Sequence, residues 1–187
     1  MHAHADLTPS PWIVRFAHLV PPGARVLDLA AGRGRHARFL AARGAQVLAV
    51  DRDAEALATL HGVPGVTTRV LDLEGPAWPL AGERFAAVVV TNYLYRPHFA
   101  HLRAAVADYG VLLYETFALG NEVYGRPANP DHLLCAGELL TLAGLPPQPM
   151  TVVAFEQGLV HPGMRPVVVE RLAAVGAHRP WPPALAP

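Results

Sequence analysis

The chain has no lysine. All fifteen basic side chains are arginine, they balance fifteen acids to a formal net charge of zero, and charged residues make up only 16% of the 187. The arginines are scattered and form no stripe. That argues against a nucleic-acid partner, because phosphate binding draws on clustered positive charge. The one cysteine, Cys135, excludes an internal disulfide, a multi-cysteine zinc or iron–sulfur site, and radical chemistry that needs three clustered cysteines. No apolar run reaches the roughly 20 residues needed to cross a bilayer. No charged-then-apolar leader opens the sequence. The expected compartment is therefore the cytoplasm, with no membrane partner. Ten histidines invite a metal reading. His2 with His4, and His98 with His101, pair off without a third ligand placed by the sequence, so no metal is expected.

What the chain does have is apolar bulk, 52% of its residues. Its length suits one domain over 1–187, with loose tails at 1–8 and 178–187. Ser10-Pro11 reads as a helix start, a cap followed by proline at the first turn. Trp12, Ile13, Phe16 and Leu19 share one face of that helix. Short, almost wholly apolar strands are predicted at 25–29, 46–50, 67–71, 85–90 and 110–114. Helices over 35–43, 54–60 and 97–107 are placed between them. Strands of that kind alternating with helices indicate a doubly wound α/β fold, a Rossmann-like three-layer sandwich whose parallel sheet is buried on both faces. The pattern breaks over 117–135. A short helix at 137–143 follows, then two strands, 152–155 and 167–171, which must pair antiparallel because no crossover helix joins them.

The chemistry is concentrated at the first strand-to-helix turn, Val26-Leu27-Asp28-Leu29-Ala30-Ala31-Gly32-Arg33-Gly34. The next strand, Val47 to Val50, ends in Asp51. A turn that lets backbone approach a ligand, followed by a carboxylate on the neighbouring strand tip, describes an adenosine-binding cleft. Gly32-x-Gly34-x-x-Ala37 formally fits a dinucleotide fingerprint. Asp28 opposes a pyrophosphate there by like-charge repulsion, and Arg33, Arg35 and His36 crowd the variable positions. S-adenosylmethionine fits better. Asp28 suits its cationic end, the turn amides suit its carboxylate, and Asp51 can accept both ribose hydroxyls.

On these residues the chain resembles the class I S-adenosylmethionine-dependent methyltransferases, over roughly 25–171. Within them it looks closest to the small bacterial methyltransferases of the tellurite-resistance type. The resemblance implies seven strands with the last antiparallel. It also implies a cofactor site of Asp28, Ala30, Gly32, Gly34, Asp51 and Arg52 at the first two motifs. Asp72 and Leu73 belong to the third motif, at the adenine, and Asn92 and Tyr93 to the fourth, beside the transferable methyl. The Thr91-Asn92-Tyr93-Leu94 stretch lacks the proline-proline-aromatic pattern of base amino-group methylation, which again disfavours nucleic acid.

Methyl transfer from a sulfonium needs alignment and exclusion of water more than acid–base chemistry. No catalytic diad is visible and no catalytic residue is assigned. The acceptor is expected to be a small molecule, met by Tyr95 and by Glu115, Tyr124 and Arg126 on the irregular stretch after the fifth strand. Two other readings stay open at this point: a nicotinamide-dependent oxidoreductase, and a module that binds S-adenosylmethionine without turnover.

Overall fold

The computed structural model describes residues 7–163 and 165–180. Side chains of alternating parity point to opposite faces of one sheet, as the two-residue period of a strand requires. Leu27, Leu29, Val88 and Val90 build one core, and Val26, Val47, Ala87 and Val89 build the other. All eight are essentially inaccessible to water, which explains why these strands read as unbroken apolar runs rather than as alternations.

The strands are β1 (Arg25–Leu29), β2 (Gln46–Asp51), β3 (Val66–Val70), β4 (Phe85–Thr91), β5 (Val106–Phe117), β6 (Thr151–Val160) and β7 (Val167–Val175). Their order is β3-β2-β1-β4-β5-β7-β6. The first five are parallel, and β7 lies antiparallel to both β5 and β6. Helices α1 (Pro11–Phe16), α2 (Arg35–Ala42) and α3 (Ala54–Ala58) cover one face. Helices α4 (Phe99–Ala105) and α5 (Glu138–Ala143) cover the other. This is the Rossmann-like, doubly wound sandwich expected from the sequence. Strand order reverses between β1 and β4, so their carboxyl ends splay apart and leave a crevice where α/β sheets bind ligands.

The caps follow the sequence signals. Ser10 Oγ accepts the Trp12 amide at 3.1 Å, and Asp53 Oδ1 accepts that of Ala56 at 3.0 Å. One cap comes from a distant strand: the buried Glu170 carboxylate accepts the Gly137 and Leu139 amides at 2.9 and 2.5 Å, closing the start of α5.

Several boundaries differ from those predicted. The helix before β5 stops at Ala105, and Val106–Phe117 is strand. The apolar Val106 and Ala107 continue the helical period, but Val106 pairs with Phe85 of β4 and the chain runs on from there as strand. Helix α3 ends at Ala58 rather than Leu60. The terminal hairpin is about twice as long as expected, because backbone pairing carries through Glu156, Gln157 and Gly158 despite their poor strand preference. Parts of both expected tails are held. Arg179 donates to the Leu19 carbonyl at 2.8 Å, and residues 7–8 line the hollows described below. Residues 1–6 and 181–187, with His2 and His4, lie outside the described residues. Among the described residues no helix is long and apolar enough to cross a membrane.

Candidate active site

The chain leaves β1 through a turn that only unusual backbone permits. Ala30, Gly32 and Gly34 all have positive φ, at 54°, 53° and 72°. For Ala30 that conformation costs about 1 kcal/mol, and strain of this kind concentrates at functional turns. The Ala31 amide donates to the Val50 carbonyl at 3.0 Å, and the Gly34 amide closes the turn on Ala31 at 2.9 Å. A Cβ on Gly32 would meet nothing within 4 Å, so the turn presents open backbone. Gly34 points inward. A Cβ there would sit 2.5 Å from the Leu60 methyls. Gly34→Ala is therefore expected to destabilise the fold by about 2–4 kcal/mol in urea unfolding, through left-handed strain plus overpacking.

Asp51 sits at the tip of β2 with both oxygens directed by the backbone. Oδ2 accepts the Gly32 amide at 2.8 Å and Oδ1 the Asp53 amide at 2.9 Å. The first bond ties the β2 tip to the β1 turn. Each oxygen keeps a second lone pair.

Two hollows flank Ala30 and Asn92. One, of about 230 Å³, lies between Ala30, Asp51, Arg52, Asp72, Leu73 and Tyr93. The other, of about 270 Å³, lies between Leu7, Ala31, Gly32, Arg35 and Asn92. Asn92 has φ 55°, the mirror of Ala30 across the crevice. Asp72 Oδ1 accepts the Glu74 amide at 2.9 Å, shaping the loop after β3. Arg52 pairs with Glu74 at 3.6 Å across the mouth. The Tyr93 hydroxyl donates to the Leu73 carbonyl at 3.1 Å, and Tyr114 donates to the Tyr93 carbonyl at 2.8 Å. Burial holds the Tyr93 phenol well above its ordinary pKa, so it stays protonated.

A third hollow, of about 400 Å³, adjoins these at Arg35 and Asn92. Its walls are the segment Thr8–Pro11 on one side and Phe117, Val160, Val167 and Val169 on the other. Its floor carries an ion pair, Glu115 to Arg171 at 2.5 Å. Another hollow, of about 450 Å³, opens at the opposite edge of the sheet by Arg25, Gln46 and Arg69. It holds none of the candidate site residues and opens by the starts of β1 and β2, away from the crevice.

The structure thus brings Ala30, Gly32, Asp51, Arg52, Asp72, Leu73, Asn92 and Tyr93 to one edge. Four expectations need correction. Asp28 does not face the crevice. It is 1% exposed, and its Oδ2 caps α2 by accepting the Ala37 amide at 2.9 Å, because its position on β1 faces the helical layer. Tyr95 lines none of the three hollows and packs against His98, with ring centroids 5.1 Å apart and planes tilted by 60°. Tyr124 and Arg126 are exposed and line none of the three hollows. Glu115 does line the third hollow, but already paired. Sequence reasoning passed over Arg171, Val167 and Val169, although their two-residue spacing on one strand face was a usable signal. It also passed over His36, whose contacts lie too far apart in the chain to be read.

Residues 26–113 match the family model described as a methyltransferase domain. No curated protein matches the sequence. The fold is similar to that of TehB from Haemophilus influenzae, with TM-score 0.73 and 18% identity over 90% of this chain and 62% of that one. The chain therefore spans under two thirds of that protein. It is also similar to 1,6-didemethyltoxoflavin-N1-methyltransferase from Burkholderia thailandensis, solved with bound 1,6-didemethyltoxoflavin and S-adenosylhomocysteine (TM-score 0.63, 21% identity, 88% of this chain and 76% of that one). Magnesium protoporphyrin IX methyltransferase from Synechocystis PCC 6803, with bound S-adenosylhomocysteine, is similar at TM-score 0.62 and 20% identity over 89% and 78%. The glycine turn and the two strand tips beside it thus lie within a stretch that matches a methyltransferase-domain model, and the fold around them is the one seen in these S-adenosylmethionine-dependent methyltransferases.

Proposed function

We propose that the chain is a single-domain cytoplasmic enzyme that moves a methyl group from S-adenosylmethionine to a small-molecule acceptor. The observation that carries this reading is Asp51, held at the crevice by the Gly32 and Asp53 amides with a lone pair left on each oxygen. That is a fixed pair of acceptor oxygens suited to a ribose diol. The residues around it fit the rest of the nucleoside. Asp72 and Leu73 line the same hollow, where a carboxylate and a backbone edge suit the adenine amino group. The turn hollow offers open Gly32 backbone and the Arg35 cation to an amino-acid carboxylate. Asn92 borders all three hollows, so the transferable methyl belongs beside it. Asp28 acts from beneath, by fixing the start of α2.

Bound S-adenosylmethionine supplies an electrophilic methyl: the acceptor's lone pair forms the new bond to carbon as the carbon–sulfur pair returns to sulfur, leaving a neutral thioether. The protein's part is alignment and dryness. Phe117, Val160, Val167 and Val169 keep water from one side of the third hollow, and Pro9 and Pro11 from the other. Orientation of this kind is worth on the order of 7–11 kcal/mol. The volume, about 400 Å³, suits a small ligand; Glu115 and Arg171 pair on its floor, and the Arg35 guanidinium stands at its border with the turn hollow. The toxoflavin enzyme and the protoporphyrin enzyme named above act on small molecules, which supports the same for this chain.

The test is methyl transfer from labelled S-adenosylmethionine into a cell extract, fractionated into small molecules, RNA and protein. Label in the small-molecule fraction is the expected result. Label confined to RNA or protein overturns the acceptor class. S-adenosylhomocysteine binding in calorimetry without any transfer would leave a binding module.

A further inference from the structure

The segment 7–11 forms a wall of two hollows at once. Leu7 borders the turn hollow and Thr8–Pro11 the third. Prolines at 9 and 11 carry no N–H, so between them only Ser10 offers a backbone donor. That donor goes to a side chain: the Ser10 amide donates to His36 Nε2 at 3.1 Å. An imidazole nitrogen that accepts must be unprotonated, so the proton sits on Nδ1. Nδ1 lies 3.3 Å from Thr91 Oγ1 and donates to it. Thr91 is the last residue of β4, next to Asn92. One ring, 2% exposed, therefore joins the segment, α2 and the β4 tip.

We infer that His36 is a positioning residue, a lock that sets the strap 7–11 against the tip of β4 and so fixes the shared wall of the cofactor and acceptor hollows. The inference rests on the proposed cofactor site for its functional readout. Burial, with the Arg35 charge beside it, lowers the His36 pKa from 6.5 to about 3. The ring is neutral, and the lock closed, throughout the neutral range. Beyond the strap, α1 is fastened separately, by Trp12 Nε1 donating to the Leu172 carbonyl at 3.2 Å. Loss of the lock should therefore free the strap without releasing the helix.

The lock can be removed from either side. His36→Phe keeps an aromatic ring and removes the acceptor. Ser10→Pro removes the donor, and the native φ of −55° and ψ of 135° suit proline. Ser10→Ala loses the helix cap, as Ser10→Pro does, but keeps the amide. In calorimetry with S-adenosylhomocysteine, Ser10→Pro should bind at least five-fold more weakly than Ser10→Ala. His36→Phe should bind at least five-fold more weakly than the parent, and the His36→Phe/Ser10→Pro double variant no more weakly than either alone. Hydrogen exchange at the Ser10 amide should quicken at least ten-fold in His36→Phe while Val14, inside α1, keeps its protection. Equal affinity of Ser10→Pro and Ser10→Ala, additive losses in the double variant, or unchanged exchange at Ser10 would overturn the lock. Absence of S-adenosylhomocysteine binding in the parent would instead sink the cofactor assignment, and the exchange measurement would still judge the lock. If His36→Phe does not fold, the Ser10 pair decides.

Discussion

Asp51→Ala will bind S-adenosylhomocysteine on the order of 100-fold more weakly than the parent and still unfold in one cooperative transition. Hydrogen bonds to a charged group contribute about 1.5–3 kcal/mol each. Two to a ribose diol therefore exceed about 3 kcal/mol, and each 1.4 kcal/mol is roughly ten-fold in affinity. Part of the loss comes from the turn itself, because Gly32 would no longer be tied to the β2 tip. Asp51→Asn preserves volume and one acceptor and should fall between the two. Affinity unchanged in Asp51→Ala would remove the ribose assignment.

Asp28→Asn will change how stability depends on pH. Burial pushes the Asp28 carboxyl up from 3.8 to about 7, against the opposing pull of the Ala37 amide and the Arg35 charge. Between about pH 4 and 7 the native state therefore holds a proton that the unfolded chain has lost, and stability falls as pH rises. His36 works the other way. Its pKa is lowered from 6.5 to about 3, so the unfolded chain holds the extra proton and stability falls as pH drops through that window. Each group contributes a slope of about 1.4 kcal/mol per pH unit, and between pH 4 and 6.5 the two oppose each other. The parent should show a nearly flat profile there in urea unfolding. Asp28→Asn keeps an oxygen for the Ala37 amide and abolishes one slope, so its stability should climb by about 1.4 kcal/mol per unit over pH 4.5–6. His36→Phe should show the reverse. Parallel profiles for parent and Asp28→Asn would mean that the buried carboxyl titrates as it does in the unfolded chain.

The sheet was legible because its central strands are buried on both faces. Val26 to Leu29 and Phe85 to Val90 have nowhere else to go. The place of the acid at the end of β2 was legible for the same reason: Asp51 ends an apolar run at the carboxyl tip of a parallel strand, the edge at which such sheets bind ligands. Asp28 shows the limit. Its place before a glycine turn is plain in the sequence, but which face of β1 it occupies depends on parity within the sheet, and that parity turns it toward α2. Tyr95 is an aromatic ring just past the β4 tip, Tyr124 and Arg126 are polar groups in a loop, and no periodicity fixes the direction of any of the three. The Ser10–His36 contact spans 26 residues and joins a loop to a helix, so no local pattern announces it. Glu115, read as part of the irregular stretch after the fifth strand, lies within β5 instead, and its partner Arg171 arrives from the far end of the chain through the β5–β7 register.

The reversal of β7 has a consequence for how such an enzyme can diversify. Because β7 runs antiparallel to both β5 and β6, the end of β6 at Val160 and the start of β7 at Val167 lie on the same rim as the β1 and β2 tips. On the proposed function, the donor side draws on the first hundred residues, and the recipient side largely on the connection after β6 and the segment 7–11, stretches whose length no strand pairing fixes. New recipients can then be acquired by editing those two segments, while the donor machinery is inherited intact.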